Sequence, residues 1–389
     1  MKRKLFFAAI TVAALAGCVK VEMEGLDDKS EKNLITFASP VTSRSLETKA
    51  NVYGEMTEYS YGSSATYTYP RAESFMIFAV QHSGDLNSWD SATKTDFNGD
   101  ELTYDGMVDS WAPKKGDDSY YYWPDNVKMS FAAVSPSDME AVNEFVQPVY
   151  ASDGLTITDF TVPSDPAKHF DLMFSERAAN KTAANMNHTA AAYSGIPLTF
   201  QHALTSIHFS LKKDAGVTED ITLMSITLKN AKNKGTFKEN ITEGSDASVY
   251  DRGNNGNVNP TWAVADSKQN SYSSFSGEVL FPLEAQYVSA LAVADGTSDG
   301  DVSHALLLMP QVLANEVVAE IQYKVDENVK TKTVQLNTYP SGSPVTEWKL
   351  GYRYTYRLYY TTDTEKKDII SFGPSTDDWS DGGVIEVTL

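Results

Sequence analysis

Gly296-Thr297-Ser298-Asp299-Gly300 spells the G-x-S-x-G pattern of a hydrolase elbow, so Ser298 is the first residue to weigh as a nucleophile. The elbow needs a strand before the serine, a helix after it, and then an acid and a histidine on separate elements. Here an apolar run (LAVA) precedes, a second strand-like run (HALLLM) follows, and His304 is the sole histidine beyond Ser298. A Gly/Asp/Ser turn between two strands accounts for the pattern better, and the chain reads as a non-enzyme. Asp96, Asn98 and Asp100 place oxygens at alternate positions, as a calcium loop begins. Its sixth position is Glu101 where glycine is required, and its twelfth is Met107 where glutamate is required. At most a weak surface cation site is left, and no metal or other cofactor is expected. The histidines at 82, 169, 188, 202, 208 and 304 form no H-E-x-x-H. His202 and His208, six residues apart, would sit on one face of a strand about 20 Å from each other, too far to share an ion.

Two further features carry chemistry of other kinds. Tyr120, Tyr121, Tyr122 and Trp123 are consecutive and run into Pro124. With Trp89 and Trp111 they could stack on sugars; in a strand, however, neighbouring rings alternate between faces and two would turn inward. Pro124 cannot donate to a ladder, which puts this stretch at a strand end or edge. The second feature is Cys18, the single cysteine of the chain. Lys2, Arg3 and Lys4 are followed by an apolar run from Leu5 to Ala14 and then Leu15-Ala16-Gly17-Cys18, so residues 1–17 read as a secretory signal ending at a lipid-accepting thiol. Acyl chains there would anchor the protein to a membrane, each buried methylene contributing about 0.8 kcal/mol. A lone cysteine excludes an internal disulfide, so packing alone must hold the body together.

Charge narrows the partners. Lys plus Arg number 32 against 52 Asp plus Glu, a formal net charge of −20, with no basic tract of five or more residues to offset it. Nucleic acid is therefore excluded as an expected partner. At 389 residues and 41% hydrophobic composition, the chain is long enough for two domains with cores.

The elements that must position these residues are strands. Residues 18–32 are polar and charge-rich and read as a tether. From Phe75 onward come short runs rich in Val, Ile, Thr, Tyr and Phe (FMIFAV, VKMSFAAV, PLTFQHALTSIHFSLK, ITLMSITLK, VVAEIQYKV, YRYTYRLYY, VIEVTL), parted by Gly, Pro, Asn, Asp and Ser. That predicts an all-β chain with few short helices, at Ser137–Phe145 and Glu176–Asn187. The most polar stretch, 239–276, sets an expected boundary near 245, giving domains 33–245 and 246–389.

Taken in order, the sequence LAGC ending at Cys18, ITF at Ile35–Phe37, YYWP at Tyr121–Pro124, MSFAAVSP at Met129–Pro136, LTFQHALTSIHFSL at Leu198–Leu211, LLMPQ at Leu307–Gln311 and WKLGYRYTYRL at Trp348–Leu358 resemble the fimbrillin, or Mfa-like, family of Bacteroidia. The resemblance implies a type V pilus subunit of two tandem transthyretin-like β-sandwich domains. It further implies export as an outer-membrane lipoprotein acylated at Cys18, proteolytic loss of an N-terminal strand, donor-strand exchange with other subunits, and a role in adhesion to host or bacterial surfaces. Leu34, Ile35, Thr36 and Phe37 form the strand suited to be lost. The Arg44-Ser45 bond, with Lys49 as a second choice, lies in a polar segment a protease could reach, although Arg44 reads equally well as a plain loop residue. Ile385, Val387 and Leu389 alternate with polar residues, so the tail fits a neighbour's groove and fits equally the last strand of its own domain. The alternative is a non-polymerising surface lipoprotein that binds glycans through the aromatic cluster.

Overall fold

Ser74–His82 and Lys128–Ser135 are apolar at consecutive positions, which a strand sustains when both of its faces are covered. A computed structural model shows that covering. It describes residues 34–37, 41–42, 60–61, 65–66, 74–105, 110–111, 120–137, 147–183, 195–196, 198–242, 258–266, 270–281, 288–289, 302–303, 306–337, 345–362 and 380–388. Phe75, Ile77 and Ala79 join Phe131 and Ala133 in a smaller core, while Met76, Phe78 and Val80 join Ala132 and Val134 in a larger one.

The sheet holding these strands runs in the order Val41–Thr42, Thr199–His202, Met173–Ser175, Lys128–Ser135, Ser74–His82, Thr93–Asp105, Ser110–Trp111. A second, antiparallel sheet (Thr261–Val264, Lys234–Lys238, Gly154–Thr161, Val149–Ala151) stacks on its inner face. Phe78 meets Tyr150 and Phe174 meets Phe237 across that layer, with ring centroids 5.8 and 5.1 Å apart.

Another pair of sheets follows. One runs Val288–Ser289, Thr205–Lys213, Tyr352–Tyr360, Ser380–Thr388; the other is Val302–Ser303, Asn270–Leu280, Ile221–Ala231, Val318–Val325, Asn328–Gln335. Ile207, Phe209 and Leu211 alternate with Ser206, His208 and Ser210, and the apolar set enters the larger core. That core is continuous through both pairs of sheets, running from Met76 to Tyr360. His169 helps join them: burial pulls its pKa down to about 4, and the neutral ring bonds Pro163 O through Nε2 at 2.9 Å and accepts the Leu307 N–H at Nδ1 at 3.2 Å.

The chain is all-β, as the sequence indicates. Among the described residues the helical content is one 3-10 turn, Pro166–Lys168. No helix there is long and apolar enough to cross a membrane. The helix expected at Glu176–Asn187 is corrected: Ala178–Lys181 is a strand paired with Lys128–Ser135. Ala178 packs into the smaller core, and Asn180 has φ 57°, which a helix cannot accommodate. The helix expected at Ser137–Phe145 falls almost wholly outside the described residues. Sheet membership changes at the buried Ala203-Leu204, where Thr199–His202 gives way to Thr205–Lys213. Strands on either side of 245 share sheets, since Lys234–Lys238 pairs with Thr261–Val264.

Candidate functional site: a groove covered by the N-terminal segment

Leu34–Phe37 is extended and alternates, so Ile35 and Phe37 can point one way together. Both are buried, at 1% and 0% exposure, in the smaller core. Phe37 meets Phe131 and Phe75 edge-on, at 5.4 and 6.3 Å between centroids. Trp111, Ile196, Leu198 and Phe200 belong to the same cluster. Backbone bonds that hold the segment include Ile35 N–H to Tyr121 O at 2.9 Å, Phe37 N–H to Trp111 O at 2.8 Å, and Ile196 N–H to Thr36 O at 2.8 Å. Its bridges are antiparallel to Tyr122 and Trp111 and parallel to Ile196, and Val41–Thr42 continues parallel to Thr199–Phe200. Any segment lying there in the same way must run in one direction and present apolar residues two apart.

At the other end, Ser380–Thr388 is the outer strand of its sheet and pairs in parallel with Tyr352–Tyr360, Ile385 opposite Tyr356 and Val387 opposite Leu358. The structure therefore places the N-terminal segment and the tail on different sheets. Cys18, Arg44, Ser45, Lys49 and Leu389 lie outside the described residues.

The other chemical candidates disperse. Trp89, Trp111 and Trp123 are 2%, 1% and 4% exposed, and of the aromatic run Tyr122 is the exposed ring. The sugar-stacking platform is overturned, because these rings fill the two cores: Trp89 packs on Tyr150 and Trp123 on Phe131. The Asp96-Asn98-Asp100 triplet lies on the strand Thr93–Asp105 instead of a loop, and Asp100 Oδ2 accepts the Asn98 N–H at 2.7 Å. No group of three metal-ligating side chains occurs among the described residues. His202 and His208 lie on two different strands, not on one face as expected: His202 Nδ1 bonds Asp171 Oδ2 at 2.7 Å, and His208 Nε2 bonds Ser206 Oγ at 2.7 Å. Burial, then the charge of Arg353, holds His208 well below the usual imidazole range. His82 bonds Gly84 O and Ser130 Oγ. Ser298, His188 and His304 lie outside the described residues. Sequence reasoning missed Trp111, Tyr121 and Ile196 as partners of the N-terminal segment. The aromatic run signalled a packed edge but not which strand it receives.

Backbone edges and apolar pockets, with buried histidines held in structural bonds, define an all-β protein whose most tractable site is a strand groove. The chain belongs to the fimbrillin-like family, whose model matches residues 71–379. No curated protein matches it. Among solved structures it is similar to a fimbrial protein from Bacteroides vulgatus at 16% identity, with 84% of this chain and 94% of that one covered and a TM-score of 0.48. It is also similar to the C-terminally truncated tip fimbrial protein Mfa3 from Porphyromonas gingivalis, at 11% identity, 75% and 90% coverage and a TM-score of 0.30. Both terminal segments discussed above, Leu34–Phe37 and Ser380–Thr388, flank the family-matched region.

Proposed function

We propose that this protein is a structural fimbria subunit, exported as an outer-membrane lipoprotein through Cys18 and serving adhesion at the cell surface without catalysis. Proteolysis at Arg44-Ser45 removes the segment containing Leu34–Phe37, and the extended tail of another subunit, anchored by Ile385, Val387 and Leu389, takes its place. The observation that carries this reading is the burial of Ile35 and Phe37 by a segment whose described residues join their neighbours through isolated bridges. Taking two such side chains out of the core exposes apolar surface worth about 3–6 kcal/mol. The Tyr121 and Trp111 carbonyls and the Ile196 N–H lose their partners as well, at about 1 kcal/mol each. A gap of that kind is filled by strand addition. A tail with three alternating apolar residues offers one anchor more than the segment it replaces.

Limited trypsin digestion of the purified full chain tests the proposal. The expected result is one discrete cut between residues 38 and 50, followed by an SDS-resistant ladder that a tail-truncated variant cannot form. Absence of both the cut and the ladder refutes the polymerising role.

A further inference from the structure

Glu239 is 1% exposed and sits beneath the turn joining Val149–Ala151 to Gly154–Thr161. Its Oε2 accepts the Leu155 N–H at 2.8 Å, and its own N–H donates to Leu155 O at 2.9 Å. Gly154 crosses over the carboxyl group at φ +92°, and a Cβ at that position would lie 2.5 Å from Oε2. Arg177 stands on the far side of Tyr150. Its Nε donates to Tyr150 Oη at 3.2 Å, and its Nη2 donates to the carbonyls of Ala151 and Ser152 at 3.3 and 3.4 Å. The guanidinium lies 5.1 Å from the Trp89 ring centre and 5.2 Å from that of Tyr150. Ser152 Oγ in turn bonds Ser88 Oγ at 2.8 Å and accepts the Asp90 N–H at 3.1 Å. Four separate stretches thus meet at the turn of this hairpin: the loop at 88–90, the hairpin 149–161 itself, the approach to Ala178–Lys181, and the end of Lys234–Lys238 with Glu239.

We propose that Glu239 is a proton-responsive latch: neutral, its carboxyl stays dry beneath Gly154 and the hairpin 149–161 closes over it; ionised, the carboxylate draws water and loosens the hairpin. Three titratable or charged groups face it: Tyr150 from the hairpin's first strand, Asp153 from its turn, and Arg177 from the opposite side. Burial pushes Glu239 from an ordinary 4.5 up to about 7; the Leu155 N–H, Arg177 and Tyr150 oppose that rise, and Asp153 adds to it. Folded Glu239 therefore holds its proton where the unfolded chain has lost it. The stabilisation is complete below about pH 4.5 and disappears as pH rises through about 7. The latch is independent of the groove under Leu34–Phe37.

Hydrogen exchange of the intact chain, corrected for the intrinsic dependence of exchange on pH, reads the hairpin directly. Protection of residues 149–161 is expected to fall about tenfold or more between about pH 5 and about pH 8. Glu239→Gln, neutral throughout, is expected to keep the protection seen at low pH. A hairpin whose protection does not change with pH, or a Glu239→Gln chain that keeps the wild-type pH dependence, overturns the latch. Carbon NMR titration of the Glu239 carboxyl in the unmutated chain decides the matter even if that variant fails to fold. A midpoint near 7 supports the proposal, and one near 4.5 overturns it.

Discussion

The two cores of this molecule share a sheet but are closed in different ways. Above the inner face of Ser74–His82 and Lys128–Ser135, the larger core is sealed by strands in long ladders; Thr205–Lys213, for instance, aligns with Tyr352–Tyr360 from Ser206–Arg353 through Lys213–Tyr360. Above the outer face, the smaller core is finished by Leu34–Phe37, joined through isolated bridges to Tyr122, Trp111 and Ile196. Burial of side chains is equally complete in both, with Phe37 at 0% and Ile207 at 0%. What differs is how much backbone must be unzipped to undo it, so apolar burial and permanence are separable properties of a β-sandwich.

The sharpest way to break that contrast is Phe37→Ala. In the uncut chain it should cost about 3–5 kcal/mol in urea unfolding, as for other fully buried phenylalanines. Once protease has removed the segment, it should have no effect. Phe209→Ala, in the larger core, should cost a similar amount before and after digestion. A Phe37→Ala cost below about 1 kcal/mol would show that the segment does not close its core.

Next in size is His169→Leu, which strands Pro163 O and the Leu307 N–H where the two pairs of sheets join and should cost about 2–4 kcal/mol. This variant also tests a pH slope. His169 titrates in the unfolded chain near 6.5 but in the fold near 4, so its contribution is whole above about pH 6.5 and is lost as pH falls through about 4. Thermal melts of the variant should therefore lose less stability on acidification than those of the wild type. A fourth substitution, Tyr356→Phe, removes the hydroxyl that receives Trp348 Nε1–H at 3.0 Å and donates to Leu336 O at 3.2 Å. It should lower stability by about 1–2 kcal/mol in denaturant titrations, with the N-terminal segment still in place. Smallest of all is Lys324→Ala, which breaks a solvent-facing pair with Glu278 and should leave the melting temperature unchanged within error.

Much of this architecture was visible in the residue pattern because strands declare themselves locally. FMIFAV, VKMSFAAV and VVAEIQYKV carry β-branched and aromatic residues between turn formers, and each became a strand. The ITF segment could be picked out for the same reason. Its destination could not, since Leu34 meets Tyr122 and Phe37 meets Ile196 with several other strands between them in the chain, and pairings that distant leave no periodic trace. The change of sheet at Ala203-Leu204 left no sign in the sequence, because both residues are buried and apolar and no turn former marks the place. Glu239 was invisible for the opposite reason: Lys238-Glu239-Asn240 reads as a wet turn, and only the approach of Gly154 and Tyr150 makes it dry.

The parallel alignment of Ser380–Thr388 with Tyr352–Tyr360 imposes a requirement on the chain between them. Neighbours that point the same way cannot be joined by a tight turn: Ser380 lies level with Tyr352, a strand's length from Tyr360, where its neighbour ends. As the outer strand of its sheet among the described residues, Ser380–Thr388 is bonded along one edge alone, so peeling it away would uncover Tyr352–Tyr360 without parting that strand from Thr205–Lys213.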